Sequence, residues 1–114
     1  MLFRSAWAVG NGGALLTTTN GGVSWTRGPQ TSAAGGLTDV QFYSTNFGWI
    51  AGEDGMILQT ANRGAFWIAR STRTDATLRA LYFVNDKTGW AVGDNGTILY
   101  TVDGGVFWVK QFKR

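Results

Sequence analysis

Apolar residues along this chain come in short runs that alternate with polar ones, and each run is closed by a cluster of glycine, asparagine, aspartate or serine. That two-residue rhythm, bounded by turn formers, predicts strands, whereas an amphipathic helix repeats about every 3.6 residues. Towards the end of the chain the pattern predicts strands at Leu78 to Val84, Gly89 to Val92, Thr97 to Thr101 and Val106 to Phe112, with turns at NDKT, GDNG and DGG. In the middle it predicts Leu37 to Tyr43, Phe47 to Ala51, Met56 to Thr60 and Ala65 to Ala69, with turns at STN, GEDG and NRG. Each set is a four-stranded antiparallel meander, and no segment requires a helix.

The two sets are copies of one unit, and a third copy precedes them. AWAVGNGGALLTTTNGGVSW at Ala6 to Trp25 aligns without gaps with GWIAGEDGMILQTANRGAFW at Gly48 to Trp67 and GWAVGDNGTILYTVDGGVFW at Gly89 to Trp108. All six tryptophans fall at equivalent positions, Trp7, Trp49 and Trp90 in one series and Trp25, Trp67 and Trp108 in the other. A single site does not need three symmetric copies of its central group, so these side chains read as packing elements. Three series of glycines also match: Gly10, Gly52 and Gly93; Gly13, Gly55 and Gly96; Gly22, Gly64 and Gly105. A period of about 40 residues built from short strands is the signature of propeller blades. The expected architecture is therefore all-β, with about three blades over residues 1–114: blade 1 at 1–30, blade 2 at 37–70 and blade 3 at 78–113. Counterparts of Phe42 and Phe83 in the first copy would lie before Met1, so only MLFR is available to stand in for its innermost strand.

The last hairpin of each copy carries its own motif: Thr18, Asn20, Gly22 and Trp25; Thr60, Asn62, Gly64 and Trp67; Thr101, Asp103, Gly105 and Trp108. Asp or Asn opening a turn accepts backbone N–H groups, threonine adds a hydroxyl bond, and glycine takes the left-handed position. The tryptophan then covers the turn with a large apolar area, and its indole N–H calls for an acceptor. These residues resemble the Asp-box, also called the bacterial neuraminidase repeat. The longer string GWAVGDNGTILYTVDGG, preceded by FVNDKTGW, is similar to the repeat of the photosystem II stability and assembly factor family. The resemblance spans nearly the whole chain and implies a β-propeller whose boxes are structural turns on the blade periphery. It also implies a non-enzymatic scaffold or assembly role with protein partners, and full-length relatives with about seven blades. Asn20 and Asn62 depart from the Asp of the pattern, which keeps the cap but argues against charge-based metal binding at the boxes.

Composition narrows the chemistry further. The chain has no cysteine and no histidine, so thiolate chemistry, the commonest general base and the commonest transition-metal ligand are all missing. A glycosidase, the enzymatic rival among Asp-box propellers, needs two carboxylates across the scissile bond. Of the seven acidic residues, Asp39 and Asp75 alone have no repeat or turn explanation, and Asp39, on an expected innermost strand, is placed to point into a central channel. One channel carboxylate is not a catalytic pair, so no catalytic residue is assigned. The oxygen-rich turns GEDG and GDNG fall short of the six to eight ligands of calcium, so no metal or cofactor is expected. Net charge is +3, and Arg70, Arg73 and Arg79 cluster in or beside the links between copies, as a candidate surface for an acidic partner; nucleic acid is the less expected one.

A three-blade arc leaves two blade faces uncovered, and exposed apolar faces favour association. Two chains head to tail would give six blades about a closed two-fold axis, so a homodimer is the expected assembly. The functional reading is a protein-binding scaffold. The alternative is a lectin-like ring with sugar sites between blades, for which Tyr43, Tyr82 and Tyr100 are the candidate aromatics. No signal peptide or membrane span is read from the sequence, and the compartment is left open.

Overall fold

The computed structural model describes residues 6–10, 14–27, 36–44 and 46–111. The expected MLFR stub and the end of the last strand at Phe112 lie outside the described residues. Strands β1 (Ala6–Val9), β2 (Leu15–Thr18) and β3 (Thr26–Arg27) form a first antiparallel sheet. The second contains β4 (Leu37–Phe42), β5 (Gly48–Gly52), β6 (Ile57–Thr60) and β7 (Ile68–Arg70) in sequential order. The third contains β8 (Leu78–Phe83), β9 (Gly89–Gly93), β10 (Ile98–Thr101) and β11 (Val109–Lys110), again in sequential order. All pairings are antiparallel meanders. The sheets stack in chain order, with β1 packed on β4, and β4 and β5 packed on β8. This is the arrangement of consecutive propeller blades.

The fourth strands begin later than the alternation predicts, at Ile68 instead of Ala65 and at Val109 instead of Val106. The boxes are the reason. The N–H groups of Phe66 and Phe107 bond to Asn62 Oδ1 and Asp103 Oδ1, so the backbone there is held in the turn rather than in the ladder. The GEDG and GDNG turns are single 3-10 turns, Glu53–Gly55 and Asp94–Gly96, in which Asp54 and Asn95 are left-handed at φ 59° and 60°. Short polar side chains tolerate that conformation better than others do.

Alternation puts one face of each sheet against the next. Leu15, Leu37, Ile50 and Leu58 form the buried centre of the first interface, flanked by Trp7, Val9, Val40, Met56 and Trp67. In the second, Trp49, Ala51 and Ile57 meet Leu78, Leu81, Phe83, Ala91, Leu99 and Trp108. Burying a Leu, Ile or Phe side chain of this kind contributes about 1.5–3 kcal/mol. The aromatic residues repeat one arrangement. Trp49 lies flat on Phe83 with ring centroids 3.6 Å apart, and Phe83 meets Trp108 edge-on at 5.9 Å. Trp7 lies on Phe42 at 5.3 Å, and Phe42 meets Trp67 edge-on at 5.8 Å.

Polar side chains of the second sheet also hold the innermost strand of the third. Asp39 Oδ2 accepts the Leu81 N–H at 2.8 Å while its Oδ1 accepts the Val40 N–H at 2.9 Å. Gln41 accepts the Phe83 N–H at 2.9 Å and donates to the Phe83 carbonyl at 3.2 Å. Thr38, at a bulge in β4, donates to the carbonyls of Leu78 and Ala51. The expectation that Asp39 points into a channel is corrected by these bonds: both oxygens serve backbone amides, one of them in the neighbouring sheet.

Gly89 opens β9 because a Cβ there would stand 2.5 Å from the Phe83 ring, which Trp49 and Trp108 hold in place. Replacing Gly89 with alanine is expected to destabilise the fold by about 2 kcal/mol through overpacking. Gly96→Ala, where nothing lies within 4 Å of the added carbon but φ is +70°, is expected to cost about 1 kcal/mol. Urea midpoints of the two variants measure the difference, and equal midpoints would sink the packing argument.

Candidate functional site

The segment joining the second and third sheets, residues 71–77, is fixed by one buried threonine. Thr72 Oγ1 donates to the Gly55 carbonyl at 2.7 Å, and the Ala76 N–H bonds to Thr74 Oγ1 at 3.2 Å. Gly55 is the residue that permits this approach, since a Cβ there would overlap the Thr74 carbonyl. Pinned on that turn, the segment carries Arg73 in left-handed conformation, φ 62°, and sets its guanidinium 4.8 Å above the exposed ring of Phe107. A cation over an aromatic face is attractive, the more so as water is excluded.

A solvent-open groove runs along the outer side of the junction between these sheets. Its larger part, about 670 Å³, is lined by Asp54, Met56, Arg70, Thr72, Arg73, Asp75 and Lys110 among others. A smaller part of about 410 Å³ continues past Thr72, Arg73, Phe107, Trp108 and Lys110. Register explains which side chains enter it. Arg70 is on the face of β7 that turns to the third sheet, where its Nε donates to Gln59 Oε1 at 2.8 Å, and Lys110 is opposite Leu99 on the facing side of β11. Three cations and two carboxylates therefore border one cleft. Among the described residues the ion pair lies elsewhere, between Arg79 and Asp94, so Arg70, Arg73 and Lys110 are not paired with Asp54 or Asp75.

Of the basic residues singled out from the sequence, the structure brings Arg70 and Arg73 together and leaves Arg79 out. Arg79 occupies the β8 bulge and makes a bidentate pair with Asp94 at 3.0 and 3.1 Å. The hydrogen bond lowers the carboxyl of Asp94 and raises the guanidinium of Arg79. Tyr43 is exposed at the end of β4, whereas Tyr82 and Tyr100 flank Trp90 across three strands. The three tyrosines are not at equivalent points of the repeat and so do not compose a repeated sugar site. Phe107 and Lys110 were missed because alternation marks Phe107 only as an ordinary strand residue and charge alone marks Lys110 as part of a basic end. Among the described residues no group of three or more acidic side chains is placed to hold a metal ion.

The boxes share one geometry. Thr18, Thr60 and Thr101 donate to Asn20, Asn62 and Asp103 at 2.8, 2.8 and 2.9 Å, and each hydroxyl accepts the N–H of Gly22, Gly64 or Gly105. Amide and carboxylate oxygens thus serve interchangeably. The expected acceptor for the covering indoles is not found: Trp67 Nε1 and Trp108 Nε1 are buried without a partner, because the box oxygens are already committed to backbone N–H groups. It is Trp49, from the preceding sheet, that reaches a box, donating to the Gly104 carbonyl at 2.7 Å beside Gln59.

The family described as Photosynthesis system II assembly factor YCF48 matches residues 3–61, just over half of the chain. The chain belongs to that family. Two solved YCF48 structures are similar in fold. One, YCF48 bound to D1 peptide, has a TM-score of 0.83 and 24% identity over 96% of this chain and 36% of that one. The other, YCF48 from Cyanidioschyzon merolae, has a TM-score of 0.61 and 28% identity over 68% of this chain and 24% of that one. This YCF48-family chain thus spans about a third and about a quarter of their lengths. No curated protein matches it significantly. No helix among the described residues is long and apolar enough to cross a membrane.

The boxes of this YCF48-family chain differ in one titratable group. Asp103 has its carboxyl lowered chiefly by the Phe107 N–H, with Thr101 adding a further bond. A depressed folded value means stability that is present above the ordinary aspartate range and lost as pH falls through the folded value. Asp103→Asn, which keeps the geometry seen at Asn20 and Asn62, is therefore expected to flatten the acid limb of stability. Urea unfolding between neutral pH and about pH 2 tests this, with the residual slope coming from other carboxylates including Asp94.

Proposed function

We propose that this chain is a non-enzymatic protein-binding scaffold that docks a peptide segment of a partner in the groove between its second and third sheets. The observation that carries the reading is the cleft itself: Arg70, Arg73 and Lys110 stand there without ion-pair partners from Asp54 or Asp75, beside the exposed ring of Phe107. Cations fixed on strands and on a pinned linker suit a carboxylate-bearing segment, because guanidinium groups present paired donors to such acceptors. Phe107 offers an apolar contact next to them. Membership in an assembly-factor family and the similarity to a YCF48 solved with a D1 peptide support a peptide as the ligand class. In this reading the chain acts as one partial propeller, with blades at 1–30, 37–70 and 78–113, and it also associates with itself.

Binding of the D1 peptide of that solved complex, labelled and followed by fluorescence anisotropy, tests the groove. Arg73→Ala and Phe107→Ala are each expected to weaken binding roughly tenfold, the loss of one charge-assisted or cation–aromatic contact. Arg79→Ala, already occupied with Asp94 elsewhere, is expected to change it less than twofold, about 0.4 kcal/mol. Equal loss at Arg73 and Arg79 would indicate a diffuse electrostatic effect and remove the groove as the site.

A further inference from the structure

Arg70 and Arg79 spend their guanidinium groups differently. Arg79 gives its Nε and Nη2 to the two oxygens of Asp94, so one fork of donors and its charge are both answered. Arg70 gives its Nε, at 2.8 Å, to the side-chain oxygen of Gln59. A neutral acceptor holds the side chain without cancelling its charge. With Nε occupied, the donors left as a parallel pair are those of Nη1 and Nη2, at the far edge of the planar group. Arg70 lines the groove, and among the described residues it has no ion pair.

Gln59 is itself held from the other side. It lies on β6 opposite Ile68, and Arg70, two residues along β7, is its diagonal neighbour on the same face. Its Nε2 donates at 2.6 Å to the Gly104 carbonyl, the oxygen that also takes the Trp49 indole at 2.7 Å. The Gly104 N–H is bonded in turn to the Lys87 carbonyl at 2.9 Å. One orientation of the Gln59 amide satisfies both neighbours, because the Arg70 Nε–H can only donate and a carbonyl can only accept. The box turn of the third sheet therefore fixes Gln59, and Gln59 fixes Arg70.

The fold does not require this pair. Thr17 and Tyr100 occupy the position of Gln59 in the first and third sheets, opposite Trp7 and Trp90 as Gln59 is opposite Trp49. Thr17 turns its hydroxyl to the Ala6 carbonyl within its own sheet, and Gln111 stands where Arg70 would be in the third copy. The Gly104 carbonyl keeps the Trp49 N–H as a partner whether or not Gln59 is present. What the pair adds is a cation held in place in a solvent-open cleft. Ordering a long side chain before a ligand arrives removes a cost that a free arginine meets on binding.

We propose that Gln59 is the positioning residue of the groove: its amide ties Arg70 through Nε and leaves the Nη1 and Nη2 edge to take one carboxylate of the docked segment end-on. This deepens the peptide reading of the groove and rests on it. The acceptor has to be an amide, since a carboxylate there would tie Arg70 and neutralise it at once, as Asp94 does to Arg79.

Anisotropy of the labelled D1 peptide with the unaltered chain, Gln59→Met, Arg70→Ala and the double variant tests the assignment. Arg70→Ala is expected to weaken binding roughly tenfold, the loss of a charge-assisted contact. Gln59→Met is expected to weaken it about threefold, the ordering of one long side chain. The double variant is expected to lose no more than Arg70→Ala alone, because nothing is then left to position. Gln59→Glu is expected to weaken binding as much as Arg70→Ala. Without peptide, the proton–nitrogen signal of the Arg70 Nε–H is expected to exchange slowly in the unaltered chain and to be lost in Gln59→Met. Additive losses in the double variant, unchanged affinity in Gln59→Met or Gln59→Glu, or an Nε–H signal indifferent to Gln59→Met would each overturn the positioning role while leaving the groove. No binding by the unaltered chain removes the groove reading and this assignment with it.

Discussion

The seat of one sheet's tryptophan on the next sheet's phenylalanine is the constraint on which the rest of the structure depends. Trp49 requires a flat ring beneath it, an acceptor for its N–H and space at the box turn, and Phe83, the Gly104 carbonyl and Gly105 supply these three. A Cβ on Gly105 would come within 2.9 Å of the indole nitrogen, so the box glycine answers to the neighbouring sheet as well as to its own turn. The spacing of 42 and 41 residues between Trp7, Trp49 and Trp90 follows, because every sheet must return its tryptophan to the same point against its successor. Stability of this kind resides between sheets more than within them.

Much of this was legible in the sequence because the determinants are local and repeated. Strand and turn positions follow from alternation and from glycine, and the boxes follow from a motif present three times. The outer strands were placed too early because alternation continues through Phe66 and Phe107, whose N–H groups are diverted to a side chain that periodicity does not register. Asp39 was misplaced for a different reason. Its partner, the Leu81 amide, lies 42 residues away on another sheet, and nothing near Asp39 in the chain signals it. The groove was half legible: Arg70 and Arg73 stood out as charges in a link, while Phe107 joins them only because Thr72 fixes the linker on Gly55.

Fold and site are accordingly separable here. The two internal interfaces use equivalent residues for one structural purpose, whereas the groove draws on residues of the link between copies that do not repeat, Arg73 and Asp75 among them. Function in propeller scaffolds is placed on such non-repeating positions, since the fold alone does not specify a ligand. Substitutions at the boxes and substitutions at the groove should then act through different properties, the first through folding and the second through recognition.

The side-chain bonds that cross from the second sheet to the third join residues 40 to 55 positions apart, and none of them skips a sheet. Coupling restricted to adjacent units gives a linear chain of energies, one for each unit and one for each junction. Among the described residues the second sheet is the one that contributes to both internal junctions. Ile50 and Leu58 are fully buried in it, and their amides are expected to be among the best protected from exchange. Cooperativity in this molecule therefore has a centre, and the groove borders it, taking one wall from the second sheet and one from the third.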